Sequence, residues 1–349
     1  MLITRRCLLQ EGSIAGLMIL LASCTPRESR KQPTASPTAR PVPPTTQPAK
    51  PTERPSTTPE EPSPPAPQPT LPPAVTEPVA GSAYLAVVKG ADPEAITRRA
   101  IEAIGGMSRF VQPGFDVIIK PNICNASHTF EYASTTNPQV VATLVQLCLE
   151  AGAKRVRVMD NPFSGTGEQA YERSGIGPAV EKAGGKMEAM AAHKFIETSI
   201  PDGRDLKSWT FYQPILEADL VINVPIAKHH SLARLTLAGK NLMGTIDRRP
   251  QMHRNLGQRV ADLTSRVRPQ LTVMDAVRIL MDHGPTGGDL KDVKKLDTVI
   301  ASHDLVAVDA YTTSLFELKP QDISYIVASA DMGLGTMELG DLDIQEIAL

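Results

Sequence analysis

The chain has 349 residues, 41% of them hydrophobic and 21% charged, with a formal net charge of -2 at pH 7. That balance is ordinary for a folded globule and lacks the basic excess on which nucleic-acid binding rests. The 4 cysteines contain no CxxC pair, which argues against an iron–sulfur cluster held by this chain.

The chain opens Thr4-Arg5-Arg6-Cys7-Leu8-Leu9-Gln10, runs through an apolar stretch over 14–21 and reaches Leu21-Ala22-Ser23-Cys24. A basic start, a short apolar run and small residues before the cut describe a secretory signal, since the run is too short to span a bilayer. The arginine pair followed by leucines resembles a twin-arginine export signal. Leu21-Ala22-Ser23-Cys24 resembles a bacterial lipobox, which implies lipid attachment at Cys24 after cleavage of 1–24. The expected location is extracytoplasmic, on the bacterial cell envelope, with the membrane as a partner through Cys24. Such a place weighs against reactions that draw on free ATP or NAD.

Residues 25–81 are dominated by Pro, Thr, Ser, Ala and Gln and hold more than half of the 31 prolines. Such a segment buries too little apolar surface to offset its ordering entropy, so it reads as a disordered, extended stalk. The remainder, 82–349, is long enough for one sizeable domain. Cys124 and Cys148 lie there, either joined in an oxidising compartment or left as two buried thiols.

Strand and helix patterns alternate through that domain. Strands are predicted over 84–89 and 116–120, with an amphipathic helix over 93–104 between them. A helix over 138–151 places Val140, Leu144, Leu147 and Cys148 on one face and stops at Gly152. A strand over 155–159, one helix over 168–183 and a strand over 186–190 follow. The compact apolar runs 220–224 and 271–274 read as buried parallel strands, and 298–301 and 306–308 continue the series before a helix through 315. Leu256, Val260, Leu263 and Val267 recur at helical spacing in a region rich in arginine, which predicts an amphipathic helix with a solvated basic face. Gly165-Thr166-Gly167 matches the letters of a dinucleotide fingerprint but stands too far from its strand, so it reads as a loop and helix start. The fold class is therefore α/β, a mostly parallel sheet flanked by helices.

Sheets of that kind bind ligands outside the carboxyl ends of their strands. Four predicted strands run into polar residues there: Lys120-Pro121-Asn122, Asp160-Asn161-Pro162, Pro225 followed by Lys228-His229-His230, and Asp275. Lys240 and Asn241 lie between Gly239 and Gly244. Lys120, Lys228 and Lys240 would attract a small anionic ligand, and a lysine desolvated beside other cations can serve as base or nucleophile. On a strand, His229 and His230 point to opposite faces. His253, with one of them and an aspartate, is of the type that holds a divalent metal, but no local HxxxH spacing supports it. Arg254 stands beside His253 and completes the set.

These residues resemble the landmarks of the domain of unknown function 362 family. The match runs through Lys120-Pro121-Asn122, Asp160, Asn223-Val224-Pro225, Lys228-His229, Lys240-Asn241-Leu242-Met243-Gly244, His253 and Asp275. It continues in order through Met281-Asp282-His283-Gly284-Pro285-Thr286-Gly287-Gly288 and the Ser302-His303-Asp304 to Asp309-Ala310 stretch. The resemblance implies an α/β fold and a site, not a reaction. Many relatives carry an appended ferredoxin-type cluster domain, from which this chain departs. The lysines and histidines after the Val-Ile-Asn strand also resemble the nickel-pincer lactate racemases, where lysine holds a cofactor and histidines move a proton.

Two functions follow as expectations. In the first, an enzyme acts on a small anion: Lys120, Lys228 and Lys240 hold charge, and Asn122 and Asn241 orient the ligand. His229 or His253 is then the acid/base, and Asp160, Asp275 and Asp309 hold a divalent ion or orient a histidine. In the second, a lipid-anchored protein uses the same pocket for binding or assembly without turnover.

Overall fold

The computed structural model describes residues 81–349. The arginine pair, Cys24 and the proline-rich stretch up to residue 80 lie outside the described residues, so the signal, lipidation and stalk expectations fall there too.

β1 (Leu85–Lys89) leads into α1 (Pro93–Ala103), whose start is fixed by the Asp92 carboxylate accepting from the Glu94 N–H and by Pro93 in the first turn. β2 (Asp116–Pro121) precedes α2 (Pro138–Glu150), begun in the same way by Asn137 and Pro138. β3 (Arg155–Val158), α3 (Gly167–Ser174), α4 (Ile176–Lys182) and β4 (Lys186–Met187) follow. The single helix expected over 168–183 is broken by Gly175, whose φ of 76° puts it in the left-handed region that ends helices. The Gly165-Thr166-Gly167 stretch is a helix start, closed by a reciprocal cap between Thr166 and Gln169.

β5 (Phe195–Ser199) and β6 (Ser208–Tyr212) pair with each other as a separate antiparallel ribbon. After α5 (Gln213–Glu217) come β7 (Leu220–Val224), β8 (Ile226–His230) and β9 (Arg234–Thr236). The short α6 (Ala238–Asn241) and α7 (Leu256–Val267) follow. The chain continues with β10 (Leu271–Leu280), β11 (Val293–Ser302), α8 (Leu305–Thr313), α9 (Ser324–Asp331) and β12 (Ile344–Ala348).

A 10-stranded sheet takes the order β12-β1-β11-β10-β7-β2-β3-β4, with β8 added beside β10 and β9 beside β8. Pairing is parallel from β10 through β7, β2 and β3 to β4, and again between β1 and β12 and between β8 and β10. It is antiparallel where β11 meets β1 and β10, and between β8 and β9. Alternation along β2 sends Val117 and Ile119 toward Ile96, Val140 and Val180 of α1, α2 and α4. Ile118 goes the other way, with Val221, Met274 and Ile300, toward Val260, Leu263, Val306 and Ile326 of α7, α8 and α9. The sheet is thus covered on both faces, as its near-continuous apolar strands require.

Several expectations need correcting. Residues 306–308 are helical, not extended, because the Asp304 side chain accepts from the Ala307 N–H and starts α8 across a β-branched run. Asp275 does not end its strand: β10 runs on to Leu280, and the carboxylate accepts from the Asn137 and Val277 N–H groups at 2.7 and 3.0 Å. The basic helix forms as α7, but Arg266 is buried and Arg259 pairs with Asp205 at 2.6 Å, so its arginines are not a uniform solvated face. Cys124 and Cys148 are free, buried thiols. No helix among the described residues is long and apolar enough to cross a membrane.

Candidate functional site: a cation-lined cavity

β2 and β7 run parallel with Lys120 opposite Asn223, and the loops leaving this rim of the sheet enclose a cavity of about 460 Å³. Lys120 is 1% exposed. Its Nζ sits 2.8 Å from Asp160 Oδ1 and donates to Pro121 O at 2.8 Å and Asn241 Oδ1 at 2.9 Å. Asp160, just beyond β3, also accepts from the Ile123 N–H at 2.6 Å and the Asn161 N–H at 2.9 Å. Burial lowers the pKa of Lys120 below the usual lysine value, and the Asp160 charge opposes that shift. Gly244 lies against this pair so closely that a Cβ there would strike Asp160 Oδ1 and the Lys120 ammonium.

Asn241 links the lysine to two further amides. Its Oδ1 accepts from Asn122 Nδ2 at 2.9 Å, and its own Nδ2 donates to Asn223 Oδ1 at 2.8 Å. Asn122 in turn accepts from Lys228 Nζ at 3.0 Å, and that ammonium also donates to Ser134 O at 2.6 Å and Pro285 O at 3.1 Å. The two-residue period of β8 puts Lys228 and His230 on the cavity side and His229 on the other. The structure therefore places His230, and not the expected His229, in the cavity. The His229 ring is half-exposed, and its Nδ1 accepts from the Gly284 N–H at 3.1 Å.

His230 Nδ1 accepts from the Leu232 and Ala233 N–H groups at 3.0 and 3.2 Å, which leaves the ring proton on Nε2. Burial, then the charges of Lys240 and Lys228, push its pKa down to about 3, so the imidazole is neutral. The His253 ring stacks 6.3 Å from it at the exposed rim, with Nδ1 3.2 Å from Pro250 O. Arg254, one residue on, is exposed and does not line the cavity. Arg249 does, donating to Asn161 O at 2.6 Å and Pro162 O at 3.2 Å.

α6 carries both Lys240 and Asn241, and Asp309 of α8 sets its position by accepting from the Ala238 and Gly239 N–H groups at 2.6 and 2.9 Å. Burial pushes the Asp309 carboxyl up to about 7 and that of Asp275 up to about 6. Asp160, Asp275 and Asp309 are thus committed to three separate sets of partners and do not come together as a ligand set. Among the described residues no group of 3 or more His, Cys, Asp and Glu side chains is placed to hold a metal ion.

Lys240 differs from the other two lysines. It is 8% exposed and lines the cavity, yet its ammonium makes no hydrogen bond or ion pair among the described residues. Burial, then the nearby Lys228 charge, brings its pKa down to about 7. The cavity charge is consequently lopsided. Asp160 neutralises Lys120, while Lys228 and Arg249 meet only uncharged acceptors and Lys240 meets none. Sequence reasoning weighed His230 only as a metal ligand and did not single out Arg249 or Gly244 as site residues. The two-residue period from Lys228 pointed to His230. No local signal separated Arg249 from its neighbour Arg248, which leaves the cavity to stack on Trp209 at 4.8 Å.

A thylakoid-associated protein of Synechocystis sp. is 27% identical over 246 residues, which cover 68% of this chain and 74% of that protein. The lactate racemase apoprotein of Thermoanaerobacterium thermosaccharolyticum superposes with a TM-score of 0.41 at 10% identity, over 66% of this chain and 56% of the racemase. The family described as domain of unknown function (DUF362) matches residues 117–314, a span that holds every cavity residue named above, and the chain belongs to that family.

Proposed function

We propose that this is an extracytoplasmic, lipid-anchored protein whose cavity binds a small anionic ligand. The observation that carries the binding is the charge imbalance: Lys228, Arg249 and Lys240 face one pocket in which the single carboxylate, Asp160, is taken by Lys120. Cations enclosed in a low-dielectric cavity attract an anion more strongly than the same groups in water. Asn122 and Asn241 fix the ammonium groups, and Phe163 and Met243 supply apolar lining for the body of the ligand. The anchoring rests on Arg5-Arg6 and Leu21-Ala22-Ser23-Cys24 and on a thylakoid-associated relative. It is tested by labelling cells with a fatty-acid analogue: the full chain should take up label and sediment with membranes, and Cys24→Ala should do neither.

The binding is tested by calorimetric titration of the full chain with small carboxylates and inorganic phosphate. Anion binding raises the pKa of Lys240 above its free value of about 7. Affinity should therefore be flat with respect to Lys240 below pH 7 and fall by about tenfold per pH unit above it. Lys240→Arg, which stays charged, should remove that fall, and Lys240→Met should weaken binding by about tenfold or more at pH 6. Absence of binding to any of these anions at pH 6 would reject the reading.

The reading without turnover draws support from the same geometry. His230 is held neutral by two backbone donors, and among the described residues lining the cavity no histidine is paired with an aspartate.

A further inference from the structure

The cavity holds three lysines, and only one has a free amine. Lys120 is paired with Asp160, and Lys228 donates to Asn122, Ser134 and Pro285. Among the described residues the Lys240 ammonium has no hydrogen-bond or ion-pair partner, yet it is 8% exposed, sits on the helix whose Ala238 and Gly239 N–H groups Asp309 holds, and lines the cavity with Lys228, His230 and Arg249. Its nitrogen is held by no protein acceptor among the described residues and opens onto the cavity, where a ligand can reach it. Neighbouring cations and desolvation favour its neutral form, which is the nucleophilic one.

We propose that Lys240 captures the carbonyl carbon of a small 2-oxo acid as an imine, with the carboxylate of that acid held by Lys228 and Arg249. The inference rests on the anion-binding reading above and adds the substrate class and the reacting atom. The Lys240 nitrogen forms a bond to the carbonyl carbon, and one N–H proton passes to the oxygen to give a carbinolamine. The remaining N–H proton then leaves with the hydroxyl as water, and the nitrogen lone pair closes the C=N bond. Atoms balance as amine plus carbonyl giving imine plus water, with no oxidant or reductant. The His230 Nε2–H, left free because Nδ1 accepts from two backbone N–H groups, lines the same cavity and can donate a hydrogen bond to the carbonyl oxygen. The volume of about 460 Å³ admits a compound of a few carbons, and Phe163 and Met243 leave room for an apolar tail.

The test is incubation of the full chain with pyruvate and sodium cyanoborohydride, followed by intact mass measurement and peptide mapping, with calorimetric binding of pyruvate in parallel. The expected result is a single reduced adduct on Lys240 whose yield, with pyruvate kept saturating at each pH, grows from pH 6 to pH 8. Lys240→Arg, checked for an unchanged melting temperature, should give no adduct. Pyruvate that binds without modifying Lys240, or modification spread evenly over surface lysines, overturns the imine and leaves the anion site standing. Failure of pyruvate, acetate and phosphate all to bind overturns the anion site and the imine with it.

Discussion

Asp160→Ala should lower the stability of the folded chain by about 3–5 kcal/mol, the usual cost of removing one partner from a buried ion pair. The Lys120 ammonium would keep only Pro121 O and Asn241 Oδ1, neither of them charged, in a site that is 1% exposed. The Ile123 and Asn161 N–H groups would also lose their acceptor. Gly244→Ala reaches the same pair from the other side, since its methyl must push Asp160 or Lys120 out of position. Urea unfolding of the full chain measures both. A midpoint within error of wild type for Asp160→Ala would mean that Lys120 is neutral in the folded protein and that the pair contributes no charge attraction.

Lys228→Met should combine a loss of stability with a loss of binding, and the two can be read separately. Three buried acceptors, Asn122 Oδ1, Ser134 O and Pro285 O, lose their shared donor, and an unsatisfied buried group costs about 1–3 kcal/mol. Asn122 and Ser134 belong to the β2–α2 connection and Pro285 to the β10–β11 connection, so the ammonium acts as a cross-link holding the cavity wall together. Anion affinity measured at a temperature where the variant is still folded should fall by at least about tenfold. A variant that is destabilised but binds as well as wild type would place the anion against Arg249 and Lys240 alone.

How much of this was legible in the sequence depended on whether the signal was local. The apolar strands at 116–120 and 220–224 and the capped helices after Asp92 and Asn137 formed where their patterns indicated, because burial and capping act within a few residues. The strand-end rule picked Lys120, Asn122, Asp160 and Lys228, which line one cavity from three stretches of chain, and Lys240 and Asn241, noted between Gly239 and Gly244, join them from a fourth. It failed for Asp275, whose burial in mid-strand depends on N–H donors 138 and 2 residues away, contacts that no spacing reveals. Asp309, expected to hold a divalent ion or orient a histidine, is engaged with the Ala238 and Gly239 N–H groups of the helix that carries Lys240. Arg249 and Arg254 exchanged roles because the direction of a short 3-10 turn, set by packing, decides which arginine faces inward.

The alternation along β8 restricts how this protein can diverge. A one-residue insertion or deletion between Pro225 and Lys228 would turn Lys228 and His230 outward and bring His229 in, exchanging two cavity groups for one. Point substitutions at either position carry no such penalty of registration. Relatives with altered ligand preference should therefore differ here in side-chain identity while preserving the count of residues, and a shifted count would mark a copy whose cavity has been abandoned.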